Sequence, residues 1–119
     1  MTGSDRGDGG PEIVGIGNAI VDVLSHSDEE YLDRNGLVKG SMTLVDAERS
    51  EAIYQGMGRA VEVSGGSAAN TMAGAAALGA RVAYVGKVHD DHLGHFFAHD
   101  IRAAGVRFDV PFAAEGAPT

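Results

Sequence analysis

Along this chain, short apolar runs rich in β-branched residues alternate with segments that carry helix start and stop signals, and that alternation narrows the fold more than any other feature. Ile13-Val14-Gly15-Ile16 reads as a buried strand rather than an alternating edge strand, with Gly15 and Gly17 letting a neighbour pack close. Residues 20–24 continue as extended structure with one carboxylate, Asp22, among Ile20, Val21, Val23 and Leu24. The Ser27/Glu30 capping-box spacing and the Asn35-Gly36 stop bound a short helix over 28–34. Residues 37–45 read as strand, turn at Lys39-Gly40, strand. Asp46 caps a helix over 47–57 whose Ala52, Ile53 and Met57 make one face, and residues 61–64 form the next strand. A small-residue helix over 67–78 ends at Gly79, and residues 81–88 alternate as a strand. Asp90 or Asp91 caps a helix running to Ala104 and ended by Gly105, and residues 106–110 make a last strand before Pro111. The pattern predicts a layered α/β fold with a largely parallel sheet, right-handed crossovers and a small β lid at 37–45.

Composition closes off several classes of function. A chain of 119 residues has room for one domain or part of one, and 44% hydrophobic with 22% charged residues is the make-up of a folded protein. Cysteine is absent, which excludes disulfides, thiolate zinc sites and cysteine nucleophiles. Seventeen acidic against nine basic residues leave a formal charge of −8, which opposes binding to nucleic acid or to an anionic membrane. No apolar run approaches the ~20 residues of a membrane span. Residues 1–11 are polar and Gly-rich, without the apolar stretch of a signal peptide; they are expected to be a disordered leader, and the expected location is the cytoplasm.

Eighteen glycines against three prolines mark many places where backbone turns or comes close to something. Gly15-Ile16-Gly17 follows a strand, but the third glycine of a dinucleotide fingerprint is replaced by Ile20 and the acidic residue comes too soon; no Walker P-loop occurs either. The informative stretch is Ser64-Gly65-Gly66-Ser67-Ala68-Ala69-Asn70-Thr71, where a strand enters a helix. Paired glycines admit a ligand to the main chain, the first-turn N–H groups face it, and the Asn70 amide can both donate and accept. The alternative is a tight turn before a helix packed closely on the sheet. Asn18 and Asp22 lie just past the first strand; vicinal hydroxyls could satisfy Asp22, or it could face solvent on an edge. His89, His92, His95 and His99, with Asp90, Asp91 and Asp100, look metal-rich. Helical geometry, however, puts His92, His95 and His99 on one face and Leu93, Phe96, Phe97, Ile101 and Ala104 on the other, so the histidines are read as the solvent side of an amphipathic helix and no metal ligand is assigned.

The segments Gly17-Asn18-Ala-Ile-Val-Asp22, Lys39-Gly40-Ser41-Met42-Thr-Leu-Val-Asp46, Gly65-Gly66-Ser67-Ala-Ala-Asn70-Thr71, and Leu78-Gly79 leading to His89-Asp90-Asp91-His-Leu-Gly94 together resemble the N-terminal part of the ribokinase/PfkB family of carbohydrate and nucleoside kinases. The resemblance runs from residue 12 to the end and is nearer to the adenosine-kinase-like branch than to ribokinase proper, which carries Lys where Ser67 stands. It implies a ribokinase-like fold and ATP- and Mg²⁺-dependent transfer of a phosphoryl group to a hydroxymethyl of a nucleoside or sugar. Asn18, Asp22, the Gly65-Gly66 backbone and Asn70 would hold the acceptor, residues around Ser41 and Met42 would belong to the lid, and a homodimer through that lid is allowed. Met72 replaces a usually small residue and His89 a usual Gly. The family's second signature, a Gly-Ala-Gly-Asp stretch with the catalytic base, is not among these residues, so the resemblance supplies no catalytic residue here and none that would bind ATP or Mg²⁺.

Overall fold

The computed structural model describes residues 9–119, so most of the expected leader, residues 1–8, lies outside the described residues. The chain divides into two compact units: one takes in the chain through Asp22 together with Val63–Thr119, the other is Val23–Glu62.

In the first unit, β1 (Ile13–Ile16) and β4 (Val82–Val85) pair in parallel, with Ile13 opposite Val82 and Ile16 opposite Val85. On the other side of β4 the chain returns at Arg107, whose amide donates to Val82 O (3.0 Å) and whose carbonyl accepts from Tyr84 (2.9 Å). β4 is therefore flanked on both sides. The strand expected over 106–110 is reduced to this parallel bridge, and the one expected over 81–88 to four residues.

The helix α3 (Ser67–Ala77) packs across β1 and β4, and its small residues allow the close approach. Met72 fills the space that a side chain at Gly15 would need: a Cβ there would lie 2.7 Å from Met72 Cγ. The departure at Met72 is thus matched by a glycine on the strand beneath it. The helix α4 (His92–Ala103) turns Phe97, Ala98 and Ile101 inward onto Tyr84, Val88, Val106 and Phe108, which form the core. The Phe97 and Phe108 rings meet edge-on at 5.6 Å, and Tyr84 lies 5.8 Å from Phe97. Ala104, expected on the buried face, is exposed because it stands at the helix end, beyond the last turn that packs.

β1 is not the buried strand that its composition suggests. Val14 is 53% and Ile16 78% exposed because they stand on the face opposite Gly15 and Met72; Val85 of β4, on that same face, is exposed too, whereas Val82 and Tyr84 on the helix-covered face are buried. β2 (Ile20–Ser25) pairs with β3 (Ala60–Gly65), the strands by which the chain leaves and re-enters the first unit. The described residues thus form an α/β arrangement with a parallel strand pair, in two two-stranded pieces rather than one continuous sheet.

In the second unit, α1 (Glu29–Arg34) starts at Asp28, whose carboxylate accepts from the Tyr31 amide; the cap is Asp28 and not Ser27, since Asp28 stands three residues before the amide it meets. Tyr31 is buried and donates its hydroxyl to Ile53 O (2.6 Å) on α2 (Ala47–Gly56), which Asp46 caps as expected. Residues 37–45 form no strands. The turn at Lys39-Gly40 is present, and the Ser41 amide and hydroxyl both donate back to Val38 O. Met42 and Leu44 are exposed.

Asp91 caps α4 through Gly94 N (2.7 Å) and also accepts from Thr119 N (2.9 Å). Burial alone would push its carboxyl up, but the amides of Thr119 and Gly94, the Thr119 hydroxyl and the charge of His89 outweigh it and hold the group below its ordinary 3.8. A depressed folded pKa contributes stability that is complete above that ordinary value and is lost as pH falls through the folded one. Asp91→Ala is expected to lower stability by about 0.5–2 kcal/mol at neutral pH. The gap between variant and wild type should close in melts taken below pH 3.8; a gap that stays constant down to pH 2 would contradict this.

Candidate functional site

The turn from β3 into α3 lies in the first unit with Asn18 and Asp22. Gly66 serves as the N-cap of α3 at φ 96, ψ 135, a conformation that glycine reaches without a Cβ clash, and no side chain caps the helix. A Cβ at Gly66 would lie 2.8 Å from the Asn18 carbonyl oxygen, and one at Gly65 would lie 2.8 Å from Asp22 Oδ2. Both glycines are therefore places where backbone touches the loop after β1 and the strand β2. Asn70 sits one turn into α3 and its amide donates to Gly66 O (2.9 Å).

Of the five residues singled out from sequence, Asp22 lies beside Gly65 and the Asn18 backbone carbonyl beside Gly66, and Asn70 is tied to Gly66 through its main-chain N–H. Asp22 is exposed, not embedded among its apolar neighbours. β2 alternates, with Ile20, Asp22 and Leu24 on its exposed face and Val21 and Val23 half-buried. Among the described residues the Asp22 carboxylate accepts no hydrogen bond, and Asn18 and Asn70 are exposed. The arrangement offers one carboxylate acceptor, two amides and a main chain free of side chains, a set suited to a ligand with several hydroxyls.

Two neighbouring features carried no sequence signal. A cleft of about 190 Å³ is lined by Asn18, Ala19, Lys87, His89 and residues 117–119, and the other four singled-out residues lie outside it. Tyr84 lies beneath the loop after β1: a Cβ at Gly17 would be 3.3 Å from its hydroxyl. That hydroxyl is buried without a partner, and burial pushes it above its ordinary value of 10.0. Its only sequence mark is a phenol within Val-Ala-Tyr-Val. An unpartnered buried hydroxyl costs about 1–3 kcal/mol of desolvation. Tyr84→Phe is therefore expected to melt at or above the wild-type temperature; a clear drop would mean that the hydroxyl is bonded in solution.

The histidines divide as the amphipathic reading expects. His92, His95 and His99 are exposed; His95 lies 2.6 Å from Asp90 Oδ1 and stacks on Phe112 at 4.1 Å. Among the described residues no group of three or more His, Asp and Glu side chains could hold a metal ion, and no helix is long and apolar enough to cross a membrane.

A parallel strand pair covered by a helix of small residues, with a glycine turn set against a strand-borne carboxylate, defines a layered α/β protein with a polar cradle at a strand-to-helix junction. The chain belongs to the pfkB family of carbohydrate kinases, whose family model matches residues 36–119. It is similar to the solved structure of adenosine kinase from Sinorhizobium meliloti, at 51% identity and a TM-score of 0.72 over 93% of this chain and 34% of that one. It is also similar to that of Trypanosoma brucei brucei adenosine kinase, at 26% identity and a TM-score of 0.74 over 92% of this chain and 35% of the other. A stretch of 47 residues is 51% identical to ribokinase of Bacillus subtilis (strain 168), covering 40% of this chain and 16% of that protein. The chain thus spans about a third of the length of the solved structures it matches.

Proposed function

We propose that this chain is the acceptor-binding part of an ATP-dependent phosphotransferase that phosphorylates a hydroxymethyl group of an adenosine-like nucleoside, or of a sugar. The observation that carries the reading is the contact of Asp22 with Gly65 and of Asn18 with Gly66 at the mouth of α3, in a chain 51% identical to an adenosine kinase. In this reading the Asp22 carboxylate accepts from two vicinal hydroxyls, Asn18 and Asn70 supply amides, and the glycines let the acceptor lie on the main chain. These residues bind and orient, which in phosphoryl transfer is a large part of the catalytic effect. ATP and Mg²⁺ are the donor and metal that family membership implies. No Gly-Ala-Gly-Asp stretch occurs among these residues, so the reading assigns neither a ligand for them nor a proton acceptor to this chain.

Calorimetric titration with adenosine and with ribose, beside an ATP-consumption assay, tests the reading. Adenosine is expected to bind more tightly than ribose, and Asp22→Ala to weaken adenosine at least about tenfold, the loss of charge-assisted hydrogen bonds of about 1.5–3 kcal/mol. An unchanged dissociation constant in Asp22→Ala would remove that residue from the site. Because the chain spans 34% of the Sinorhizobium meliloti structure, a second reading is a nucleoside- or sugar-binding piece without turnover. Binding without ATP consumption favours it; turnover by the chain alone contradicts it and the absence of a proton acceptor together.

A further inference from the structure

Successive residues of a strand face opposite ways, so Ser64 and Gly65 at the end of β3 look to different sides. On the Gly65 side lies Asp22. On the other, the Ser64 hydroxyl donates to Asp100 Oδ2, contributed by α4 from 36 residues further along the chain. Asp100 is held by a well-anchored element, since Phe97 and Ile101 around it are 0% and 3% exposed. The two residues that follow Ser64 are both glycine, the residue type that loses most conformational freedom on ordering. A charged acceptor at the last side chain before them is the nearest available anchor, and such bonds are about twice as strong as neutral ones.

We propose that Asp100 is a positioning residue for the candidate acceptor site: through Ser64 it fixes the end of β3 and so holds Gly65 and Gly66 against Asp22 and Asn18. The proposal rests on the acceptor-site reading only for its binding readout. In the sequence Asp100 stands among the histidines at and before α4, and nothing in the spacing links it to Ser64.

The test uses the 119-residue chain and amide hydrogen exchange followed by NMR. The Asn70 amide, bonded to Gly66 O, reports how firmly the turn is held, and the Ala80 amide, bonded to Ala75 O at the far end of the same helix, is the control. Ser64→Ala and Asp100→Ala are each expected to speed exchange at Asn70 about tenfold while Ala80 changes little, and the double variant to add nothing further. Asp100→Asn, which keeps an acceptor oxygen, should restore most of the protection. The adenosine dissociation constant should rise about tenfold in the alanine variants and recover in Asp100→Asn. Equal acceleration at Asn70 and Ala80, or none at either, overturns the proposal, the first outcome marking a purely structural bond. If Asp100→Ala does not fold, Ser64→Ala, which removes only a hydroxyl, carries the same comparison. If the wild-type chain does not bind adenosine, the acceptor-site reading fails while the exchange measurement still decides whether Asp100 holds the turn.

Discussion

Phe97→Ala is expected to lower the melting temperature by roughly 10–20 °C, the largest stability effect of any single substitution considered. Phe97 is 0% exposed and stands where Tyr84 of β4 and Phe108 of the returning chain meet, with ring centroids at 5.8 and 5.6 Å. Removing the ring loses its transfer energy and leaves a cavity that three surrounding elements cannot close without moving. Phe→Ala changes in such positions cost about 3–5 kcal/mol, against a total stability of about 5–15 kcal/mol for a small domain. The neighbouring Phe96 is only half-buried, so Phe96→Ala is the natural control and should cost much less. Thermal melts of the two variants by circular dichroism read the difference. Equal shifts would mean that α4 does not seat on the sheet in the register described.

Gly66→Ala should have the largest effect on the candidate site. Its backbone at φ 96, ψ 135 is strained for any residue with a Cβ, which by itself costs about 1–3 kcal/mol. The new methyl would also lie 2.8 Å from the Asn18 carbonyl oxygen, a backbone atom that can yield only if the loop after β1 shifts. Gly79 offers a matched control, with the same φ of 96 and nothing within 4 Å of an added Cβ. Gly79→Ala therefore reads the cost of a side chain at this positive φ without a contact, and the excess in Gly66→Ala includes the contact with Asn18. The expected result is a greater melting-temperature loss for Gly66→Ala and a weakening of adenosine by at least about tenfold, with affinity kept in Gly79→Ala. Equal stability losses with affinity retained in both would show that the glycine turn and Asn18 are not coupled.

The parts of this molecule that were legible in its sequence are those set by neighbours a few residues apart. Asp46 and Asp91 cap their helices because a carboxylate reaches an amide three residues on, and Gly36, Gly79 and Gly105 end theirs at positive φ, as their places after Asn35, Leu78 and Ala104 suggest. The outward face of His92, His95 and His99 follows from the helical period alone. The paired glycines at 65 and 66 belong to the same group, since a turn conformation is a local property.

What failed or stayed hidden depends on partners distant along the chain. Ile13-Val14-Gly15-Ile16 has the composition of a buried strand, yet whether such a strand is covered depends on what packs on each of its faces, and here the face of Val14 and Ile16, shared with Val85 of β4, is open among the described residues while the Gly15 face lies under Met72. Residues 37–45 have strand-like composition, but without a ladder partner the backbone at Ser41 turns back on Val38. The link from Asp100 to Ser64 joins residues 36 positions apart and leaves no periodic trace. By itself, then, the sequence determined the helices, the caps at Asp46 and Asp91, the glycine turn and the family to which the chain belongs. Only the tertiary structure decided which strand is central, that Asp22 is exposed beside Gly65, and that α4 reaches the turn. Caps and turns draw their energy from atoms a few bonds away, whereas burial and long-range hydrogen bonds exist only once the chain has brought remote segments together.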